Sequence, residues 1–298
     1  MSATEKSATT ERADGATRIH DRGYRRFNGE RTGPAGAVRT TIRHTFARIL
    51  GLRRQGRAKA LPFIVAGIAY LPAIVFIGIG LLLPKRAANA TIPQVWEYYG
   101  FVISAILLFI AFAAPEALCP DRRFRVMGVY LSSPLTRMTY LLAKFAAVAG
   151  ALCIVTLFPP LLMVLGRSLQ GQGPSTGDLG LVVVRIIVSG LILAAFFALL
   201  ALGASSLTDR KGFASATIVL VFIIGGSVSS AIFQATENDY AILLNLFTIP
   251  FELVRRIHGN VGDHPSLSTA LLALATLAWS ALFAGIVVIR YRRLEVTR

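Results

Sequence analysis

The stretch "PEALCPDRRFRVMGVYLSSPLTRMTYLLAK", residues 115–144, lies between two long apolar blocks and carries five basic side chains, two acids and three prolines. Whether it joins two membrane spans or belongs to a soluble domain decides the fold. Its surroundings answer the question. The 298-residue chain is 54% hydrophobic and 15% charged, with a mean hydropathy of +0.62, where a soluble domain carries about a quarter charged residues. The apolar residues are gathered into long runs, and a helix needs roughly 20 residues to cross a ~30 Å hydrocarbon core at about 1.5 Å each. The fold class is therefore an all-α integral membrane protein.

Six transmembrane helices are predicted, over Ala60–Leu83, Tyr98–Ala114, Leu141–Leu165, Gly180–Leu207, Gly212–Phe233 and Ser268–Ile289. Pro72 and the pair Pro159–Pro160 should kink the first and third, because proline frees a carbonyl one turn back. Small residues at Ser189–Gly190, Gly203–Ser206 and Gly225–Ser230 suit close helix packing. Segment 240–259, "YAILLNLFTIPFELVRRIHG", has only 12 uncharged residues from Tyr240 to Phe251 and contains Pro250. That is too short to span, so a re-entrant or surface-lying external helix is expected between spans five and six.

Charge fixes the predicted orientation. With the N-terminus inside, 25 of the 31 basic residues fall on inner segments, as the positive-inside bias requires, and six spans return the C-terminus to the same side. The net charge of +16 is thus placed against the membrane and not arranged for nucleic acid. Trp96, Tyr98 and Tyr99 then fall at the outer interface. Arginine outnumbers lysine 26 to 5, a composition that fits a GC-rich bacterial genome and hence a bacterial plasma membrane with both termini cytoplasmic.

Residues 1–34 are polar and poor in large apolar side chains, which predicts a disordered cytoplasmic tail. Residues 35–59 follow as a basic amphipathic interfacial helix. Val38, Ile42, Phe46, Ile49 and Leu50 form one face, with Arg39, Arg43, Arg48, Arg53 and Arg54 between them, placed to meet anionic lipid headgroups.

Enzymatic signatures are missing. The sequence has no GxxxxGK[ST], HExxH or CxxC. The two cysteines, Cys119 and Cys153, have neither metal-ligand spacing nor a reason to pair. His258, His264 and Asp263 share an external loop and are read as solvated, not as a metal site. Every charge near a span lies close to its end: Lys144 can snorkel from the third and Arg185 sits just inside the fourth, a headgroup contact or a polar contact with substrate. Driving force must arrive from elsewhere.

The 115–144 stretch offers a place for it. Asp121 can cap a short helix from Arg122 to about Leu131, with Phe124, Met127 and Leu131 on one face, Tyr130 beside them and Arg122, Arg123 and Arg125 flanking. Ser133 and Pro134 then restart a helix as N-cap and first-turn proline, and Arg137, Tyr140 and Lys144 ride into span three. Such an amphipathic helix at the inner surface suits lipid or a docked protein.

The run resembles the first cytoplasmic loop of ABC-2 type transporter permeases. Glu116, Asp121, Arg122, Arg123, Tyr130, Leu131, Ser133, Pro134, Leu135, Arg137, Tyr140 and Lys144 match that pattern, and the six-span plan extends the likeness over about residues 36–298. The resemblance implies a permease that pairs with a second copy or a related permease and with two ATPase subunits. ATP and Mg would be held there, and no cofactor by this chain. It makes Arg122, Arg123, Phe124, Arg125, Met127, Tyr130 and Leu131 a coupling helix docked on the ATPase, framed by Glu116, Asp121, Ser133, Pro134, Arg137 and Lys144. Most relatives export. Two other readings stay open: a non-transporting assembly or signalling partner with the same architecture, and a membrane-embedded lipid-modifying enzyme.

Overall fold

The computed structural model describes residues 33–52 and 57–293. The expected tail up to residue 32, and Arg53 and Arg54 of the expected lipid-facing set, lie outside the described residues. Pro34, placed in the tail by composition, instead falls in the first turn of α1 (Gly33–Ile49), where a missing N–H costs nothing. Six helices are long and apolar enough to cross a membrane, over Ala60–Leu82, Val95–Arg123, Arg137–Leu169, Gly177–Leu207, Lys211–Thr236 and Thr269–Arg292.

The first span belongs to α2 (Arg57–Leu82), which runs unbroken through Pro62 and Pro72, and a short α3 (Lys85–Thr91) follows. The second span does not stop at Ala114. From α4 (Val95–Leu108) the chain passes through a π-turn, Phe109–Ala113, and a 3-10 turn, Ala114–Ala117, into α5 (Cys119–Arg123). The first half of the opening stretch is therefore the end of a span. The π-turn loosens the regular ladder, and Ser215 in the fifth span donates its hydroxyl to the Ala111 carbonyl there.

After α6 (Met127–Leu131), the third span is two helices, α7 (Arg137–Thr156) and α8 (Phe158–Leu169), parted at Leu157 just before Pro159–Pro160. Neither proline can donate to the carbonyls of Val155 and Thr156. A Cβ on Gly190 would sit 3.0 Å from that of Leu157, so glycine lets α9 (Thr176–Leu207) approach the break, and the Thr156 hydroxyl lies 3.0 Å from the Gly190 carbonyl. The last two spans are α10 (Lys211–Thr236) and α12 (Thr269–Arg292).

Between them lies a re-entrant hairpin, one of the two forms left open by the sequence. A 3-10 segment, Asp239–Leu244, leads down to α11 (Thr248–Ile257). The rings of Phe247 and Phe251 lie 6.4 and 5.9 Å from Phe197, and Phe247 lies 5.7 Å from Phe222. Phe197 is ten residues from the end of α9 and Phe222 eleven from the start of α10, about 15–16 Å along each helix and so near mid-bilayer. The Trp279 indole N–H donates to the Leu243 carbonyl (3.1 Å) at the turn, satisfying a polar group where no water is available.

Tyr98 and Tyr99 are core residues, not interfacial ones. Both are buried, and their hydroxyls donate to the carbonyls of Ala69 (2.6 Å) and Ile186 (3.3 Å), tying α4 to α2 and α9. Trp96 stays at the α11 end, with the Arg255 guanidinium 5.6 Å from its ring centroid.

Candidate functional site

At the opposite end, where α1 packs on α7, lies a buried ion cluster. Asp121, 2% exposed, takes Arg48 Nη1 at 2.8 Å on Oδ1, and Lys144 Nζ at 2.6 Å with the Tyr140 hydroxyl at 2.8 Å on Oδ2. Lys144, 0% exposed, also donates to Thr45 Oγ1 (3.0 Å), and its ammonium lies 5.4 and 5.2 Å from the ring centroids of Tyr130 and Tyr140. Three sequence expectations change here. Asp121 is a counter-ion and not a helix cap. Lys144 does not snorkel, because a carboxylate and two aromatic faces replace its hydration. Arg48 turns inward, away from lipid. Burial opposes its charge, but Asp121 outweighs burial and holds the guanidinium above its ordinary value.

The rest of the stretch ties down other helix ends. The last carbonyls of a helix have no partner within it. Arg122 donates to those of Ser206 and Thr208 at the end of α9, and Arg137 to Tyr291 (3.3 Å) and Arg292 (2.8 Å) at the end of α12. Glu116 pairs with Lys211 at the start of α10, and Arg48 adds a bond to the Ala117 carbonyl (3.0 Å). Cations at helix C-termini are favoured by the macrodipole as well.

The expected single helix from Arg122 to Leu131 is two short ones, parted at Arg125, whose φ of 52° is left-handed. That break rotates the faces apart. Phe124 is 70% exposed and Val129 72%, whereas Met127 and Tyr130 pack against the core. The predicted Phe124–Met127–Leu131 face is thus divided, with the Leu131 side chain outside the described part of the structure. Arg123 and Arg125 are exposed beside Phe124. Ser133 is not the N-cap and Pro134 not the first turn. Thr136 caps α7, accepting from the Thr139 N–H (3.2 Å), and the Ser133 hydroxyl turns back to the Tyr130 carbonyl.

A groove of about 540 Å³ runs between α1 and this loop, walled by Thr40, His44 and Arg48 on one side and Phe124, Val129 and Tyr130 on the other. Arg39 and Arg43 are exposed on α1. Thr45, Tyr140 and Lys211 are partners that the sequence alone does not reveal, since no spacing along the chain joins them to the charged residues.

At the α11 end the histidines are partnered. His264 Nδ1 is 3.0 Å from Asp239 Oδ1, and with the Ser266 hydroxyl it holds the Asp239 carboxyl below the usual carboxylate range. Asp263 pairs with Arg255. His258 meets Ser189 Oγ at 3.3 Å, and burial, aided by Arg185, pushes its imidazole down to about 4. Arg185 itself donates to the His258 carbonyl (3.3 Å), so its contact is the hairpin. Among the described residues no group of three or more His, Cys, Asp or Glu side chains is placed to hold a metal ion.

A family model described as ABC-2 family transporter protein matches residues 83–290, from the end of α2 almost to the end of α12 and including the whole 115–144 stretch. No curated protein matches the chain.

Proposed function

The chain belongs to the ABC-2 transporter family, as a permease of an ABC transporter, and from that premise we propose that it is the membrane-spanning subunit of an ATP-driven exporter. The α1 end faces the cytoplasm of a bacterial cell, a reading supported by the sequence, which puts 25 of its 31 basic residues in the segments expected inside. Two ATPase subunits carrying ATP and Mg dock there. A second permease, identical or related, completes the substrate path, which opens alternately to the two sides as the subunits move as rigid bodies.

One observation carries this reading: the loop is anchored on its inner side and apolar on its outer side. Asp121, Arg122, Arg137 and Glu116 fasten it to the ends of α1, α9, α12 and α10, while Phe124 and Val129 stand clear beside Arg123 and Arg125. A displacement imposed on the exposed edge therefore passes to four helix ends through charged contacts. The docking surface is Phe124–Val129 and not the face containing Met127.

Phe124→Glu and Val129→Glu should leave insertion and thermal unfolding unchanged while abolishing co-purification with the ATPase and stimulation of its activity by the permease. Met127→Glu should destabilise the permease itself. Undiminished ATPase capture and stimulation in both surface variants would reject the docking assignment.

A further inference from the structure

A crevice of about 200 Å³ lies at the elbow that Leu50–Leu52 form at the end of α1, against the first turns of α2. Leu50 and Leu52 form one wall, Pro62 and Ala66 of α2 a second, and Phe109 and Ala151 the back. Among the described residues every lining side chain is apolar. Water has no use for such a space, since a buried water needs two to four polar partners. Left empty, the lining would forfeit dispersion contacts on one side.

The crevice sits where hydrocarbon can reach it. Pro62 and Ala66 lie two and six residues into the apolar span that starts at Ala60, about 3–9 Å along the helix and thus in the leaflet on the α1 side. Phe63 and Leu52, also in the lining, are 68% and 54% exposed. At about 30 Å³ for a water-sized group, there is room for on the order of six or seven methylenes. Helix α1, which ends one residue before Leu50, carries exposed Arg39 and Arg43. Arg43 is seven residues from Leu50, about 10 Å along a helix, within reach of the headgroup of a lipid whose chain enters beside Leu50.

We propose that this crevice is a binding site for one acyl chain of an anionic phospholipid from the α1-side leaflet, with Arg43 drawing the headgroup. The site is distinct from the docking loop and stands whether or not an ATPase docks there. Its function is to fill the space that Ala66 and Ala151 leave between the elbow and spans two and three.

The test uses the full chain in detergent, with added phosphatidylglycerol or phosphatidylcholine and native mass spectrometry to count retained lipid. Ala66→Leu, which fills the crevice, should weaken phosphatidylglycerol retention by on the order of tenfold, the loss expected for displacing a few methylenes. Arg43→Gln should erase the preference for phosphatidylglycerol over phosphatidylcholine. Equal retention by Ala66→Leu and the parent overturns the site. Should Ala66→Leu unfold, the parent decides: phosphatidylglycerol with a photoreactive chain end should crosslink to residues 62–66 and 151–155. Crosslinks spread evenly over the exposed faces of α2 and α10, as annular lipid alone would give, overturn it.

Discussion

Asp121→Asn keeps the shape of the side chain and removes the charge that two buried cations share. Arg48 and Lys144 meet its carboxylate at 2.8 and 2.6 Å. Breaking a buried pair by neutralising one partner costs about 3–5 kcal/mol, mostly because the other charge is left stranded. The two cations do not share that cost equally. Arg48 is 17% exposed and borders the groove, so water screens it, whereas Lys144 is 0% exposed. The lower end of the range, about 3 kcal/mol, is therefore expected, nearly all of it at Lys144. At about 2–4 °C per kcal/mol for a large domain, unfolding should shift down by roughly 6–12 °C.

Adding Lys144→Met to Asp121→Asn removes the stranded ammonium and leaves a side chain of similar length among Thr45, Tyr130 and Tyr140. The double variant should regain most of the loss, a coupling on the order of 2 kcal/mol between residues in one network. Heating in detergent while following the fluorescence of Trp96 and Trp279 measures all three proteins. An Asp121→Asn protein that melts with the parent, or a double variant no better than the single, would refute the assignment of Asp121 as the shared counter-ion.

His258 gives a pH dependence of definite sign. Its folded value near 4 lies below the ordinary 6.5, so the fold favours the neutral ring. That stability is present above about pH 6.5 and is lost as pH falls towards 4. His258→Gln should flatten the change in unfolding temperature between pH 7.5 and 4.5, and a flat parent curve would count against the burial argument. Gly262→Ala should cost on the order of 1–3 kcal/mol, because Gly262 has a φ of +75° and a Cβ there would collide with the Glu252 carboxylate. Faster amide exchange over 258–268 checks it. Trp279→Phe strands the Leu243 carbonyl at the hairpin turn at about 1–3 kcal/mol; exchange should rise over 239–247 and stay unchanged at the α1 end.

The spans were legible because bilayer crossing depends on length and composition, which are local properties of a sequence. The hairpin was half legible. Pro250 and the short apolar run excluded a span, but only the Phe197–Phe222–Phe247–Phe251 contacts choose insertion over surface lying. The ion cluster was not legible. Arg48, Asp121 and Lys144 stand on three different elements, and each alone reads as a solvated charge near a span end. One clue was available: an acid beside a proline just past an apolar run, with a lysine at the fourth residue of the next. The break at Arg125 had no signal, since a left-handed arginine is an outcome of packing and not of propensity. The split of the expected Phe124–Met127–Leu131 face, which leaves Phe124 and Val129 exposed and Met127 packed inward, follows from that residue.

The placement of helical defects relative to the anchored loop has a mechanical consequence for the proposed exporter. A regular helix resists bending because each turn is pinned to the next, and bends concentrate where that ladder is already interrupted. Counting away from the α1 end, span two meets its π-turn at Phe109–Ala113, immediately past the segment anchored by Glu116 and Asp121. Span three meets its break at Leu157, 13 residues or about 20 Å beyond Lys144. The two interruptions are neighbours in space, for Phe109 and Val155 line the same elbow crevice. Residues 114–156 thus form a block held by charges at one end and bounded by soft points at the other, while the hairpin braces α9, α10 and α12 beyond them. A push on Phe124 and Val129 meets stiff contacts first and reaches compliant backbone only beyond them, inside spans two and three, where the proposed substrate path would have to open.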